Sequence, residues 1–476
     1  MALINELKAS VSCECSDEKS VLEQYSKDNS IWAEPKLPTC VVWPRSVKDI
    51  QNIVKIANKH GEPVIPVSSG VHFHGSTIPT YGGIVVDLSK MTKIEVDRRN
   101  KTVVIEPGVR WSPLQEEVSK EGLRVINPFL PHAAQSVLTS ILERTPPVVW
   151  KSEYQERICS LEVVLPSGEI FRTGSASVSK TGMFPVSGVV PYGPGLNWHY
   201  LFQGAQGSFG IVTRMRIKAE VKPALEKLIF YTSSNIEDFM NVIYNIGKLL
   251  IGYECLVLNS LNLASIIANV DEDVIKLKNM LSPWTLILCL GGMRYPEEKI
   301  AYEEEAIKNL GINIKPTIPK FPGVEKKMLE LLKKAWDKDP YWKFRYKGRS
   351  QDIFFICSLS KLPKIFDMLF ESAIEHNYSS NDLGIYIQPL EYGRAAYCEI
   401  TFHYNPENIE EVSKTKDLIK DTCDRLGREG SFFNRPYGPM AEVAYGFNTS
   451  YTSLLTRLKD LLDPNNIMNP GRLYLR

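Results

Sequence analysis

The chain has 476 residues, of which 43% are hydrophobic and 23% charged, with 56 Lys and Arg against 55 Asp and Glu. This length predicts about two or three domains, and the globular composition excludes extended disorder. The balanced charge disfavours a nucleic-acid binder, which normally carries a basic excess. No apolar run approaches the roughly 20 residues that span a bilayer, so we expect no membrane span.

The cysteines and the N-terminus predict a cytoplasmic protein. The nine cysteines are scattered and odd in number, without a CxxC pair or a histidine cluster at zinc spacing. This pattern favours free thiols in a reducing compartment, and the first ten residues lack the charged and apolar regions of a signal peptide. The isolated pair Cys13 and Cys15 offers too few ligands for a metal site, so no metal is predicted.

The N-terminal part of the chain combines helices with short strands. Ser46 and Gly61 delimit a predicted helix as its N-cap and its C-terminal stop, because an apolar stripe at helical spacing lies between them. A second helix is predicted to start at Ser112 and Pro113. The pattern is α+β rather than a regular alternation of strand and helix. Strands are predicted at the short apolar runs 64–67, 84–88, 102–106, 160–165, 170–172 and 211–217.

The composition changes near Lys222 and Pro223, where we place a domain boundary. Beyond this point, helices with charged faces alternate with further apolar runs, and the last segment, 461–472, is rich in turn-forming residues. The sequence therefore predicts a second α+β unit after residue 222. Its strands are expected around 228–231, 286–290, 353–357 and 396–402.

Two glycine-containing segments bear on ligand binding. The loop 67–76 lies between two predicted strands and is rich in Ser and Gly. Small residues let a backbone approach a ligand, and successive N–H groups form anion-binding nests, so the loop is either a pyrophosphate site or an ordinary surface loop. Gly204, Gly207 and Gly210 have part of the dinucleotide-binding spacing. They precede a strand instead of opening a helix, which excludes a Rossmann site there.

Segments on both sides of the loop 67–76, in the same order along the chain, resemble the FAD-binding half of the vanillyl-alcohol oxidase/p-cresol methylhydroxylase flavoproteins. They are the runs 63–70, 82–91, 104–109, 161–169, 192–195 and 202–213. The tail 463–471 is similar to the closing signature of that family. The resemblance covers about residues 38–220 and the last twenty or so, whereas 223–425 is similar only in outline.

The resemblance implies an α+β fold of the p-cresol methylhydroxylase type, in which two subdomains hold an extended FAD beneath a cap domain. It assigns 1–222 to the FAD-binding domain, 223–425 to an α+β cap, and 426–476 to a C-terminal segment that returns to the FAD-binding domain. The flavin contacts are then expected in the loop 67–76 and in 131–140. The implied cofactor-binding residues are Ser68, Ser69, Gly70, Val71, His72, Phe73, Gly75, Ser76, Pro131, His132, Ser136, Thr139, Ser140, Gly210, Ile211 and Val212.

The segment 131–140 departs from the family pattern. Relatives usually carry glycine where Ala134, Gln135 and Thr139 stand in this chain. Bulkier residues keep the backbone farther from the flavin or change the pose of the flavin. We therefore expect FAD binding with altered local contacts.

The resemblance also implies candidates for catalysis. An ungapped count from Ser136 places Glu153 on the active-site carboxylate of the family, near flavin N5, although a solvated surface glutamate is the alternative. His74 stands where the family has a tyrosine that holds a phenol oxygen, so it is either a base or a loop cap. The adjacent Tyr-Arg pair of the family is absent, and Arg435 and Tyr437 are the candidates to replace it.

The implied function is that of an FAD-dependent oxidoreductase, which takes a hydride from a 4-alkylphenol, aryl alcohol or similar hydroxylated substrate onto flavin N5. A related alternative is an FAD-dependent 2-hydroxy-acid dehydrogenase of the glycolate/D-lactate type. Those relatives carry paired metal-binding histidines in the cap, where this chain offers only His376 and His403. A third alternative, from another class, is a non-catalytic assembly subunit with a flavin-binding fold.

A predicted strand of the cap bears on how the flavin is attached. Some relatives link FAD covalently through a cap histidine or tyrosine, and Tyr397, Glu399, Thr401 and His403 share one face of a predicted strand. Because neither Tyr397 nor His403 lies in a matching sequence context, we expect FAD to be bound non-covalently. The expected partners are a small-molecule substrate and further copies of the chain, in a homodimer or a larger homo-oligomer. The electron acceptor is either oxygen or a protein, namely a cytochrome, an electron-transfer flavoprotein or an iron–sulfur subunit.

Overall fold

The structure is a computed structural model that describes residues 2–150, 157–178, 188–310, 323–447 and 449–473. Short strands form three sheets and a two-stranded ladder, with helices packed between and around them. Among the described residues, no helix is long and apolar enough to cross a membrane. The predicted α+β class is confirmed.

The first sheet has four strands in the order β1-β2-β4-β3. Strands β2, β4 and β3 are parallel because a helix crosses over between β2 and β3. That helix, Val47–His60, starts where predicted: Ser46 Oγ accepts a hydrogen bond from the Asp49 N–H, and Gly61 ends the helix at a φ of 65°. The elements of this region are α1 (Ala2–Ser10), β1 (Glu14–Ser16), α2 (Lys19–Gln24), β2 (Cys40–Trp43), α3 (Val47–His60), β3 (Val64–Val67) and β4 (Ile84–Asp87).

The second sheet is antiparallel, with five strands in the order β5-β6-β10-β8-β9. The predicted helix near Pro113 begins at Trp111, so Pro113 is its third residue instead of its first. Strands β7 and β11 pair separately with each other. The elements are β5 (Ile94–Asp97), β6 (Thr102–Ile105), α4 (Trp111–Lys120), β7 (Leu123–Arg124), α5 (Val137–Leu142), β8 (Ile158–Val164), β9 (Ile170–Arg172), α6 (His199–Phe202), β10 (Ile211–Lys218) and β11 (Glu220–Val221).

The third sheet has six antiparallel strands in the order β12-β14-β13-β16-β17-β15. Its core also takes in Phe129, Leu130 and Trp150 from the first part of the chain, which anchors the sheet to the rest of the fold. The elements are β12 (Leu225–Ser233), α7 (Glu237–Lys248), β13 (Glu254–Asn259), α8 (Ser260–Ile267), α9 (Asp273–Met280), β14 (Trp284–Gly292), α10 (Pro296–Lys308), α11 (Val324–Leu331), β15 (Arg349–Cys357), α12 (Leu362–Glu375), β16 (Leu383–Leu390), β17 (Ala395–Tyr404) and α13 (Ile409–Arg428).

The C-terminal segment carries α14 (Pro439–Gly446) and α15 (Thr449–Leu462) and then joins the first sheet. The Val64 N–H donates to the carbonyl of Ile467 at 2.7 Å, and the Asn469 N–H donates to the carbonyl of Val64 at 2.9 Å. The tail is thereby fixed beside β3, immediately before the loop 67–76. All nine cysteines are free thiols, and seven of them are buried.

Candidate active site

A long cleft lies beside the loop 67–76 and contains about 1140 Å³ of space between its walls. The loop and the segment 135–145 form much of the lining. The residues before β10 and the C-terminal residues Arg435, Tyr437 and Asn469 complete the lining. We refer to this space as the cleft. Its walls come from parts of the chain that are far apart in sequence and are brought together by the two N-terminal sheets and the tail.

Hydrogen bonds fix the loop 67–76 from several sides. The hydroxyl groups of Ser68 and Thr139 lie 2.5 Å apart, so the loop is tied directly to α5. The side-chain amide of Asn469 donates to the carbonyl of Ser76 at 3.1 Å and to that of Gln206 at 2.6 Å. Thr139 stands where the related family has a glycine. Its side chain forms part of the wall of the cleft and does not block the cleft.

The backbone conformation and the close packing at position 75 require a glycine. Its φ is +76°, and a Cβ built on it would lie 2.7 Å from the Cβ of Ala33. Its N–H donates to Asp28 at 2.7 Å. Gly70 differs, because a Cβ there would meet nothing within 4 Å. A side chain added at Gly70 therefore enters open space, whereas one added at Gly75 disturbs the fold itself.

Most of the predicted cofactor-binding residues line the cleft, and the others do not. Ser136 Oγ donates to the carbonyl of Pro107 and caps α5, and Ser140 Oγ donates to the carbonyl of Ser136, so both side chains are held within the fold. Pro131 lines a neighbouring cavity, whereas Gly70, Gly75, Ser136, Ser140 and His132 line neither space. The predicted residues on the cleft are Ser68, Ser69, Val71, His72, Phe73, Ser76, Thr139, Gly210, Ile211 and Val212.

A second space, with about 740 Å³ between its walls, opens from one end of the cleft. We call it the aromatic cavity, because its walls include seven aromatic rings other than histidine. The two spaces meet at a junction formed by Phe73, His74, Gln135, Thr145 and Arg435, which line both. The rings are those of Phe73, Phe129, Tyr341, Phe344, Phe354, Tyr386 and Tyr397.

One wall of the aromatic cavity carries charged groups in mutual contact. Lys343 Nζ donates to Asp352 at 2.6 Å and to Glu399 at 2.5 Å, and the Tyr397 hydroxyl donates to Glu399 at 3.0 Å. Burial opposes the charge of Lys343, but the two carboxylates raise the pKa of Lys343 above its ordinary value. Thr401 Oγ1 also donates to Asp352. Lys343 therefore stays charged, and the two carboxylates balance its charge.

Arg435 lies at the junction and is largely buried, at 7% exposure. Its Nη1 donates to Thr145 at 3.1 Å and its Nη2 to the Tyr397 hydroxyl at 2.5 Å. Its guanidinium carbon lies 3.7 Å from the centre of the Phe354 ring. Its Nε has no hydrogen-bond partner among the described residues. Arg435 therefore presents a cation with spare donor capacity between the cleft and the aromatic cavity.

His74 lies between Arg435 and Tyr437. Its ring stacks on Tyr437 at 4.8 Å and meets Phe354 edge-on at 5.2 Å. Burial, followed by the charges of Arg435 and Lys343, lowers the pKa of His74 to about 3. The imidazole is therefore neutral near pH 7 and acts there as a hydrogen-bonding group.

Tyr437 connects His74 to a carboxyl group that the sequence did not indicate. The Tyr437 hydroxyl donates to Glu143 Oε2, and Glu143 lines the cleft. Burial raises the pKa of Glu143 to about 7, against the opposing charges of Arg435 and Arg144. The signal available in the sequence was only an acidic residue at the end of a short helix, which is common on protein surfaces.

Four other predicted residues complete the description. Glu153 falls in 151–156, outside the described residues. Tyr397 faces the aromatic cavity, whereas His403 lines neither space and packs against Tyr346. His376 bonds to the carbonyl of Ser372 and pairs with Asp421. His376 and His403 therefore have different neighbours and do not form a pair.

The cleft has the features that an extended cofactor with a polar middle requires. His72 lines the cleft, and its buried Nε2 has no hydrogen-bond partner among the described residues. The hydroxyl groups of Ser68, Ser69 and Thr139 lie along the same wall. Buried polar atoms are normally satisfied, so the unpaired nitrogen fits a bound polar group.

Comparison with known proteins identifies that cofactor. Residues 38–174 match the model of a family described as the FAD binding domain. The glycolate oxidase subunit of Bacillus subtilis (strain 168) is 29% identical over 209 residues, which span 42% of this chain and 41% of that protein. The flavoprotein subunit of 4-cresol dehydrogenase (hydroxylating) from Pseudomonas putida is 22% identical over 491 residues, which span 91% of this chain and 87% of that protein.

The fold comparison agrees with the sequence comparison. A crystal structure of p-cresol methylhydroxylase with substrate bound superposes with a TM-score of 0.84 at 20% identity, covering 100% of this chain and 96% of that one. The predicted FAD cofactor and the predicted fold are confirmed. The chain therefore carries an FAD binding domain in residues 38–174, and its fold is of the p-cresol methylhydroxylase type.

Proposed function

We propose that this protein oxidises a hydroxylated aromatic substrate, either a 4-alkylphenol or an aryl alcohol. The observation that carries the proposal is the aromatic cavity, which joins the cofactor cleft at the cation of Arg435. The FAD supplies the acceptor for a hydride from a substrate carbon. The protein supplies the position of the ring and the electrostatics around its oxygen.

The shape of the aromatic cavity favours a flat ring. Phe73, Tyr341 and Phe344 contact one another with ring centres 5.7 to 6.0 Å apart, and Phe129 stacks on Tyr386 at 5.2 Å. Offset and edge-on contacts of this kind stabilise a further ring placed between them. A small aliphatic acid gains little from such walls.

The charges of the site favour a neutral substrate that becomes more acidic as it reacts. Lys343 is already paired with Asp352 and Glu399, which leaves Arg435 as the cation with a free donor at the junction. A phenol or alcohol oxygen that develops negative charge gains a charge-assisted hydrogen bond from that guanidinium. Arg435 and Tyr437 thus serve in place of the Tyr-Arg pair of the related family, and neutral His74 orients the same oxygen.

Residues on the cleft hold the cofactor in this proposal. Ser68, Ser69 and His72 contact its polar middle, while 210–212 support it from the second sheet. Glu153, which is assigned from the sequence alone, is expected to act on the charge that develops during hydride transfer. Because His403 packs elsewhere and the Tyr397 hydroxyl is engaged by Arg435 and Glu399, we expect a non-covalent flavin.

A 2-hydroxy acid is the second candidate substrate. The identity shared with the glycolate oxidase subunit favours it, and Arg435 also suits a carboxylate. Against it stand the aromatic walls and the separate surroundings of His376 and His403. The third expectation is a non-catalytic assembly subunit. The connection between the cofactor cleft and the aromatic cavity suits an enzyme and does not support that alternative.

The setting of the reaction completes the proposal. We expect an electron-acceptor protein to reoxidise the flavin, a homodimer or larger homo-oligomer, and a cytoplasmic location. Nine free thiols suit a reducing compartment. Sedimentation velocity on the purified holoenzyme measures the oligomeric state, and a monomer at micromolar concentration contradicts that part.

Anaerobic reduction of the bound flavin tests the proposed substrate class. The purified yellow holoenzyme is mixed without oxygen with 4-ethylphenol, 4-hydroxybenzyl alcohol, benzyl alcohol, glycolate or D-lactate, and the loss of flavin absorbance is followed. We expect rapid bleaching by at least one aromatic compound and none by the two hydroxy acids. Bleaching by glycolate or D-lactate alone overturns the aromatic substrate and establishes the alternative.

A further inference from the structure

Glu143 carries a half-buried carboxyl group beside the junction, and the proposed oxidation assigns it no role. It follows α5 directly as its C-cap residue, and its side chain lines the cleft. The Tyr437 hydroxyl donates to its Oε2. No described residue hydrogen-bonds its other carboxyl oxygen, Oε1. The group therefore retains acceptor capacity inside the site.

Tyr437 connects this carboxyl group to the aromatic cavity. Its ring stacks on His74 at 4.8 Å and meets Phe354 edge-on at 6.1 Å. His74 and Phe354 both line the aromatic cavity. Tyr437 itself lines the cleft, so its hydroxyl meets Glu143 on the cleft side of the junction, next to His74 and Arg435.

We propose, on the basis of the proposed function, that Glu143 accepts the hydroxyl proton of the substrate through Tyr437. The O–H bond of the substrate breaks, and its proton bonds to the Tyr437 oxygen. The O–H bond of Tyr437 breaks in the same step, and that proton bonds to Glu143 Oε2. No electron pair leaves the substrate oxygen, so the step is balanced without an oxidant, and hydride transfer to the flavin remains a separate event.

The other groups around Glu143 cannot take this proton as readily. Arg435 and Arg144 face Glu143 as cations and have no acceptor. The pKa of His74 is lowered to about 3, so its ring binds a proton too weakly near pH 7. Burial raises the pKa of Tyr445 above its ordinary value, which keeps that phenol neutral.

The carboxyl group itself is suited to the task. Asp352 and Glu399 are held by Lys343, which leaves Glu143 as the unpaired acid near the junction among the described residues. Burial raises its pKa to about 7. A proton acceptor works best when its pKa lies near the working pH, because it is then both deprotonated and strongly basic.

Binding of a non-reactive phenol tests the relay without turnover. 4-Fluorophenol has no para carbon that can give up a hydride, and fluorine NMR measures its Kd for the holoenzyme across about two pH units on either side of the pKa of about 7. We expect the Kd to rise about tenfold below that pKa. Once Glu143 is protonated, it no longer offers Tyr437 a carboxylate acceptor, so the hydrogen bonds that run from the ligand through Tyr437 to Glu143 are weakened.

Variants separate the relay from a structural role. E143Q and Y437F are expected to bind 4-fluorophenol with a Kd that does not change with pH. E143D keeps a carboxyl group and should restore the pH dependence. Y445F removes a hydroxyl close to Glu143 but outside the cleft, and it should behave like the wild type. A Kd for E143Q that follows the wild-type pH curve overturns the proposal.

Flavin bleaching by the best aromatic substrate provides the second readout. The wild-type rate should rise with pH through about 7, because the acceptor must be deprotonated, and E143Q should be about 10²-fold slower and independent of pH. If the wild type bleaches and E143Q keeps its pH profile, the relay is wrong while the proposed oxidation stands. If no aromatic substrate bleaches the wild type, the proposed function fails, and the 4-fluorophenol titration still decides the role of Glu143.

Discussion

The cleft and the aromatic cavity are built in different ways. The cleft is lined by contiguous stretches, chiefly the loop 67–76 and 135–145, with small hydroxyl side chains and exposed backbone. The aromatic cavity is lined by large or charged side chains scattered from Phe73 to Arg435. The cofactor end of the site therefore depends on local chain geometry. The substrate end depends on which strands are neighbours.

The register of the third sheet shows why this difference matters. Asp352 pairs with Thr401, and Phe354 pairs with Glu399, on adjacent strands β15 and β17. Lys343 reaches Asp352 and Glu399 from outside the sheet. A slip of one residue would turn every one of these strand side chains to the other face. The walls of the proposed substrate cavity thus depend on the pairing of β15 with β17, whereas the walls of the cofactor cleft depend on short sequence motifs.

Replacing Lys343 by Met is expected to have the largest effect on stability. It leaves the half-buried carboxylate of Asp352 without its cation and leaves Glu399 with Arg435 alone, 4.0 Å away, which costs about 3–5 kcal/mol in the free energy of unfolding. Urea denaturation of the holoenzyme, followed by tryptophan fluorescence, measures the change.

Lys364 provides the matched control for that experiment. It pairs with Glu429 on the surface with 72% of its side chain exposed, so K364M should cost less than about 1 kcal/mol. Equal stability of K343M and K364M would show that the charged wall of the aromatic cavity is not a buried network.

Glu153→Gln tests the motif-based half of the comparison at a position assigned from sequence alone. The variant keeps the shape and removes the charge that acts on the transition state more than on binding. The rate of flavin reduction should fall about 10²–10³-fold, or roughly 3–4 kcal/mol, with flavin content unchanged. Stopped-flow bleaching measures this rate. A rate within a few-fold of the wild type would make Glu153 a solvated glutamate.

Gly70→Val tests whether the loop 67–76 approaches the cofactor at Gly70, which does not itself line the cleft but stands between Ser69 and Val71, which do. A Cβ at Gly70 meets no protein atom within 4 Å, so the protein should fold, while the added methyl groups oppose a closely bound cofactor. An overpacking cost of about 1–3 kcal/mol weakens FAD at least about fivefold. Flavin content after dialysis and the Kd for FAD report the change.

Gly446→Val is the control for the cleft variant. A Cβ at Gly446 also meets nothing within 4 Å, and this residue ends α14 away from the cleft. It should retain wild-type FAD affinity. Full flavin content in G70V would show that the backbone at Gly70 does not approach the cofactor. Gly75 is unsuitable for this purpose, because its own packing against Ala33 confounds the result.

Acid precipitation of the wild type tests whether the flavin is bound non-covalently, and this prediction involves the smallest expected change. Because His403 lies away from both spaces and Tyr397 is hydrogen-bonded to Glu399, the yellow colour should pass entirely into the supernatant. Flavin fluorescence on the denatured band would establish a covalent bond and direct attention to Tyr397.

Much of the cofactor half was predictable from the sequence. The helix capped by Ser46 and ended by Gly61, the strands around the loop 67–76 and the α+β class follow from capping chemistry, periodicity and β-branched runs, which act over a few residues. The start of α4 was predicted two residues late, because helix ends depend on weak local preferences. The hydroxyl role of Thr139 was not foreseen, since it needs the contact with Ser68, which is 71 residues away in the sequence.

The sequence by itself determined the fold class and the FAD cofactor, because those features depend on short motifs with their own conformational preferences. Only the tertiary structure brought His74, Glu143 and Tyr437 into one chain of contacts and joined Lys343 to Asp352 and Glu399. Lys343 and Asp352 are nine residues apart, and the other contacts span tens to hundreds of residues. Their chemistry arises from burial and charge proximity, which no local pattern specifies.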